Sequence, residues 1–195
     1  MKEKKTRKAI PSITELEAEL KREKYKTKYR QVFRSTIYAL ITVAAVAVLV
    51  AVLLLPVLRI YGHSMTPGLT DGDIVVSVKG ADFKTGDVIA FYYNNKILVK
   101  RVIAGSGDWV NIDEDGTVYV NQERLEEPYV SEKSFGDCNI ELPYQVPDSR
   151  VFVMGDHRSV SVDSRNTAVG CVTEEQIVGR LVFKIWPFQS MGRIE

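Results

Sequence analysis

Histidine and cysteine are scarce in this chain of 195 residues, which holds two of each. His63, His157, Cys138 and Cys171 do not fall at metal-ligand spacings, so a zinc site is not expected. Nothing else in the sequence suggests a metal or organic cofactor. Two cysteines permit at most one disulfide, and a Cys138–Cys171 bridge stands beside the alternative of two unpaired, partly buried thiols. Strand-like and helix-like runs do not alternate, which argues against a dinucleotide-binding fold. Internal repeats and low-complexity segments are missing too.

Net charge is nearly absent, at +1, but the balance hides an asymmetry. Residues 1–35 carry twelve Lys/Arg against five Asp/Glu, giving +7; residues 59–195 carry fourteen against twenty, giving −6. A nucleic-acid reader would be expected to have a basic folded domain, so nucleic acid is not an expected partner. Between these parts, residues 36–58 hold no charge over 23 positions, and about 20 suffice to cross a bilayer. A cleavable leader would have a shorter apolar core, about 7–15 residues, and a small-x-small end, whereas this run ends Leu-Pro-Val-Leu-Arg. The expected organisation is a basic cytoplasmic tail with a charged helix (1–35), one transmembrane helix (36–58) and an extracytoplasmic β-rich domain (59–195). Lys24, Lys26, Lys28, Arg30 and Arg34 crowd the N-terminal flank. By the positive-inside rule the N-terminus is then cytoplasmic, in a single-pass protein of the plasma membrane.

Residues 1–11 read as a disordered basic segment. Ser12 and Glu15 fit a capping box, so a helix is expected to start there and run through charged residues, acids and bases at helical spacing, into the apolar stretch. Beyond residue 58 the pattern changes to short β-type runs at 73–78, 88–93, 97–103, 109–112, 117–120, 151–154 and 177–186. Turn pairs such as Asp71-Gly72, Asn94-Asn95, Asp115-Gly116 and Gly155-Asp156 separate them. Residues 129–150, with Pro143 and Pro147, read as a long excursion of little regular structure. The fold class is mainly β: an antiparallel domain of 137 residues, enough to bury a core, behind one N-terminal helix.

Three segments could carry chemistry. The first, Gly62-His63-Ser64-Met65-Thr66-Pro67, places a serine in a Gly/Pro-bounded turn just past the apolar run. A serine hydroxyl needs an activating base to act as a nucleophile. In the second, Ile97-Leu98-Val99-Lys100-Arg101-Val102-Ile103, strand alternation puts Leu98, Lys100 and Val102 on one face. If that face is inward, desolvation lowers the lysine pKa and suits it to be a general base; if it is an outward edge, the lysine only blunts aggregation. The third runs from Gly155 to Arg165, where Ser161, Asp163 and Arg165 share one parity. A charge-assisted Asp163–Arg165 pair could orient Ser161 there.

Together, in this order beyond one span, these segments resemble the boxes of bacterial type I signal peptidases, serine endopeptidases with a Ser–Lys dyad. Ser64, Met65 and Pro67 match the nucleophile box; Asp71-Gly72-Asp73 and Gly86-Asp87 the strands that follow; Lys100-Arg101-Val102-Ile103 the base box, continued by Gly107-Asp108. Asn121, Glu127-Pro128-Tyr129, Gly155-Asp156, Arg158 and Ser161-x-Asp163-Ser164-Arg165 match the rest. The resemblance implies removal of signal peptides after Ala-x-Ala-type sites, with Ser64 as nucleophile and Lys100 as base. It further implies that Ser161 hydrogen-bonds Lys100, that Asp163, Arg165 and Arg101 form a supporting charge cluster, and that the Ser64 N–H helps bind the oxyanion. Substrate would dock as an extended strand, against pockets lined by Ile60, Met65, Leu69, Leu98 and Val99.

The chain also departs from the family pattern. Gly62 stands where many members place a serine donating the second oxyanion hydrogen bond, and such a donor can be worth roughly 3 kcal/mol. Gly68 replaces the usual Thr, His157 the usual Asn, and Val160 a commonly polar residue. His157 and His63 raise a Ser–His scheme, but no Asp-oriented imidazole is evident. Trp186, Pro187 and Phe188 fit either a membrane interface or the β core. Expected partners are the signal peptides of secreted preproteins, the lipid bilayer and export machinery. The competing readings are a membrane-tethered β module that binds or adapts, and a Ser–Lys self-processing regulator. The latter would carry a DNA-binding helix-turn-helix where this chain has its apolar run.

Overall fold

The computed structural model describes residues 12–80 and 82–194; the expected disorder of 1–11 lies outside them. Two compact units divide the chain, 1–51 and 52–195. The described part of the first belongs, from residue 13 on, to a single helix, α1 (Ile13–Leu54), of 42 residues, whose last turn enters the second. Its start is the expected capping box: the Ser12 N–H donates to Glu15 Oε2 at 3.0 Å, and the Glu15 N–H to Ser12 Oγ at 3.4 Å. None of its side chains is buried, and it is long and apolar enough to cross a membrane. Thr36 and Thr42 turn their hydroxyls onto carbonyls one turn back, at 3.0 and 2.9 Å. Both polar groups are thereby satisfied within the helix, as an apolar surrounding requires.

The helix stops at Leu54, short of the expected residue 58. Pro56 explains this, because proline disfavours helical geometry in the residue before it. The tail of the apolar run becomes strand β1 (Val57–Arg59), antiparallel to β2 (Ile74–Val78).

The second unit is built from two antiparallel sheets. The larger follows the order β1-β2-β11-β3-β4-β9-β10, with β3 at Val88–Tyr93, β4 at Lys96–Ala104, β9 at Arg150–Met154, β10 at Val172–Thr173 and β11 at Ile177–Trp186. A short β12 (Gly192–Arg193) adds to β11. The smaller sheet is ordered β7-β6-β5-β8, from Glu123–Arg124, Val118–Val120, Trp109–Ile112 and Tyr144–Gln145. Seven of these strands follow the alternation of β-branched and aromatic residues and start or end within a residue or two of their expected bounds. Apart from β8 and the first residue of β9, residues 129–150 hold no regular structure, as anticipated.

Packing sets where a site can lie. Val102, Ile89 and Phe91 belong to one buried cluster with Leu98 against it; Ile60, Met65, Leu69 and Val75 belong to a second, with Val99 against it. Leu98 and Val99 thus face opposite sides of β4, as strand alternation requires. Cys171 is buried in a third cluster, and both cysteines are free thiols, which settles the open choice against a disulfide. Trp186 and Phe188 are 46% and 70% exposed and meet edge to face at 4.8 Å, so neither fills the core.

Candidate active site

A cleft of about 650 Å³ opens between the chain around β1 and the first half of β4. Ser64 and Lys100 both line it, with Ile60, Gly62, Met65, Leu98 and Val99. Leu69, expected among them, is absent from the lining and lies in the core. It follows Ser64 by five residues in a helical turn whose Leu69 N–H donates to the Met65 carbonyl at 2.8 Å; that turn carries it inward.

The cleft has two unpaired backbone edges. Among the described residues strand β1 pairs with β2 alone. On β4, residues 96–101 pair with β3 on one side, while β9 begins only at Arg101 on the other. The amide and carbonyl groups before Lys100 are therefore open to an added strand.

Lys100 is 4% exposed. Desolvation pushes its pKa down to about 8, with Arg165 acting the same way and Asp163 and Asp156 opposing. The edge-strand alternative for this residue is excluded by its burial. Among the described residues no hydrogen bond joins Ser64 Oγ to Lys100 Nζ. Ser161 is brought into the site but does not reach Lys100: its buried hydroxyl has no hydrogen-bond partner, although it lies near the Asp163 carboxylate.

Asp163 and Arg165 form the expected pair, fully buried and two-pronged at 2.8 and 2.9 Å. Burial alone would raise the Asp163 pKa, but Arg165 and the Gly155 N–H, donating at 2.9 Å, hold it below the ordinary value. Arg101 does not join this cluster. It pairs with Asp156 at 2.8 and 2.7 Å, donates to the Gly86 carbonyl at 2.6 Å and stacks on Tyr129 at 3.8 Å. The reason is strand parity: Arg101 leaves β4 on the face opposite Lys100. A third buried pair, Arg158 with Glu127, anchors the same region, with Arg158 Nε donating to the Gly155 carbonyl at 3.0 Å.

These pairs converge on Gly155. A Cβ built there would lie 2.5 Å from the Ser64 carbonyl oxygen and 2.6 Å from Ser161 Cβ, so only glycine lets the two serine segments meet. The next residue but one also holds the nucleophile turn: the His157 N–H donates to the Ser64 carbonyl at 3.1 Å, and its Nδ1 lies 3.0 Å from Thr66 Oγ1. Gly62 has φ of +86°, and its N–H is committed to Asp71 Oδ1 at 2.8 Å. The Ser64 N–H donates no hydrogen bond among the described residues. Roles for Asp156, Glu127, Thr66 and Tyr129 escaped sequence reasoning, because their partners lie far along the chain. The signal available was a carboxylate beside a glycine or proline within an otherwise apolar β pattern.

Residues 33–186 match the family model described as signal peptidase, peptidase S26. A signal peptidase IB of Staphylococcus aureus (strain COL) is 39% identical over 151 residues, covering 67% of this chain and 78% of that protein. A signal peptidase I of Bacillus licheniformis is 34% identical over 149 residues, covering 70% and 79%. A crystal structure of a signal peptidase I from Enterococcus faecalis V583 aligns at 27% identity over 52% of this chain and 97% of its own, with a TM-score of 0.44.

Proposed function

Because this chain belongs to the signal peptidase family, peptidase S26, we propose that Ser64 is its nucleophile and Lys100 its general base. The chain is a serine endopeptidase that removes signal peptides from preproteins. What carries the residue assignment is the placement of Ser64 and a desolvated Lys100, its pKa lowered to about 8, in one cleft. With that pKa about a tenth of the lysine is neutral at pH 7, enough to accept a proton and strong enough to return it.

In the reading proposed, neutral Lys100 Nζ takes the Ser64 proton as Oγ adds to the scissile carbonyl carbon. The oxyanion receives the uncommitted Ser64 N–H. Collapse breaks the C–N bond, and the Lys100 ammonium protonates the departing amine of the mature protein. A water, deprotonated by Lys100, then attacks the acyl ester, freeing the signal peptide and restoring Ser64. The two side chains come into hydrogen bond as the substrate fills the cleft, since such bonds often tighten only in the Michaelis complex. Ser161, whose hydroxyl has no partner before substrate enters, would then reach and orient the lysine, while the Asp163–Arg165 pair fixes the backbone around it.

The substrate would add as a strand between the two open edges, and Ile60, Met65, Leu98 and Val99 would restrict its pockets to small side chains. Placement of α1 in the plasma membrane with its N-terminus cytoplasmic follows from the basic flank. The β unit would then meet the cleavage site at the outer membrane surface, with Trp186 and Phe188 available to the bilayer interface, and export machinery would be at hand. The test is cleavage of a preprotein carrying Ala-x-Ala by the purified full chain. Ser64→Ala and Lys100→Met are each expected to abolish it; normal turnover by either folded variant would sink the assignment.

A further inference from the structure

His157 sits where two halves of the site are joined, and the hydrogen bonds around it have a direction. Its backbone N–H donates to the Ser64 carbonyl at 3.1 Å, and its carbonyl accepts the Ser161 N–H at 3.1 Å. Main-chain contacts at one residue therefore tie the nucleophile segment to the Ser161 segment. The side chain adds a third tie, because Nδ1 lies 3.0 Å from Thr66 Oγ1, two residues past Ser64. Thr66 Oγ1 in turn donates to the His63 carbonyl at 2.9 Å, one residue before Ser64. The threonine hydroxyl has one hydrogen. With that hydrogen spent on His63, the ring must donate, which places its proton on Nδ1.

From this geometry we propose that His157 is a positioning residue for the nucleophile. Its Nδ1–H donates to Thr66, Thr66 donates to the His63 carbonyl, and this relay clasps the chain on both sides of Ser64. The relay does not make His157 a base. Its Nδ1 is a donor already in use, and no hydrogen bond from either ring nitrogen to Ser64 Oγ exists among the described residues. The clasp matters because Met65 and Leu69 anchor the turn in the core after Ser64, whereas residues 61–63 just before it are exposed. Gly62 sits in left-handed backbone with open space around it, and His63 is exposed. Among the described residues the other bonds to the backbone of 62–69 are Gly62 N–H to Asp71 Oδ1, Thr66 N–H to the His63 carbonyl, Leu69 N–H to the Met65 carbonyl and Lys184 Nζ to the Gly68 carbonyl. A misplacement of the nucleophile of about 1 Å can cost on the order of a hundredfold in rate, so a side-chain clasp at this point acts on kcat more than on substrate affinity.

The inference rests on Ser64 being the nucleophile, and its test separates the two. His157→Ala, Thr66→Val and the double variant are assayed on an Ala-x-Ala preprotein as full chains, with thermal unfolding to establish that each is folded. His157→Ala is expected to lower kcat by about tenfold to a hundredfold with KM little changed. Thr66→Val should do much the same, and the double variant should be no worse than the poorer single, because both remove one relay. His157→Asn supplies an N–H at the place of Nδ1 and should restore kcat to within about threefold. His157→Asp, an acceptor only, should not. Multiplicative losses in the double variant, an unchanged kcat in His157→Ala, or equal activity in the Asn and Asp variants would overturn the clasp. Residual cleavage by folded Ser64→Ala would instead overturn the nucleophile.

Discussion

Replacing Lys100 by methionine should stabilise the β unit at neutral pH while destroying activity. The folded protein holds this lysine 4% exposed, with its pKa lowered from 10.5 to about 8 chiefly by desolvation. At about 1.4 kcal/mol per pH unit, that displacement corresponds to roughly 3 kcal/mol. The sign follows from proton counting. Between pH 8 and 10.5 the unfolded chain binds the proton that the folded chain has released, so stability rises with pH across that window. Below pH 8 both states are charged, and the folded state carries the full cost. Methionine has a similar unbranched shape and no charge to desolvate. Lys100→Met should therefore exceed the parent by up to about 3 kcal/mol at pH 6.5, with the advantage shrinking as pH approaches 10.5. Denaturant unfolding of the detergent-solubilised full chain, followed by the fluorescence of Trp109 and Trp186, reads this directly, because both tryptophans lie in the β unit. A variant no more stable than the parent at pH 6.5, or a parent whose stability is flat from pH 7 to 10, would refute the desolvation argument.

Asp163→Asn leaves the Arg165 guanidinium buried without its counter-charge and should cost about 3–5 kcal/mol in the same unfolding assay. Gly155→Ala would force a methyl against the Ser64 carbonyl and Ser161 Cβ. It should cost about 1–3 kcal/mol of stability and lower kcat more than it alters KM in preprotein cleavage, since both serine segments are displaced. Gly62→Ala, at φ of +86°, should lose about 1 kcal/mol of stability by thermal unfolding although its new Cβ meets nothing within 4 Å.

The strands were legible because β-branched alternation and turn pairs are local signals, and β3, β5 and β11 stand where the pattern placed them. The two-residue strands β7, β8, β10 and β12 are too short to show a period, and only their pairing with β6, β5, β9 and β11 defines them. The inward lysine was readable as one of two choices; burial between Leu98 and Val102 decided it. The charge cluster was only half readable. Asp163 and Arg165 are two residues apart and announce their pairing, whereas Arg101 and Asp156 are 55 apart and meet only after β4 and β9 align. The clasp on the nucleophile turn spans 91 residues and has no local signature at all.

The pH dependence of kcat/KM for an Ala-x-Ala preprotein tests the Ser–Lys dyad most directly. With Lys100 as the base, the rate climbs about tenfold per pH unit on the acid side and levels off near pH 8, where Lys100 loses its proton, with the same limb in His157→Asn. A limb centred near 6.5, the ordinary histidine range, that disappears when His157 is replaced would contradict it and pass the base to histidine.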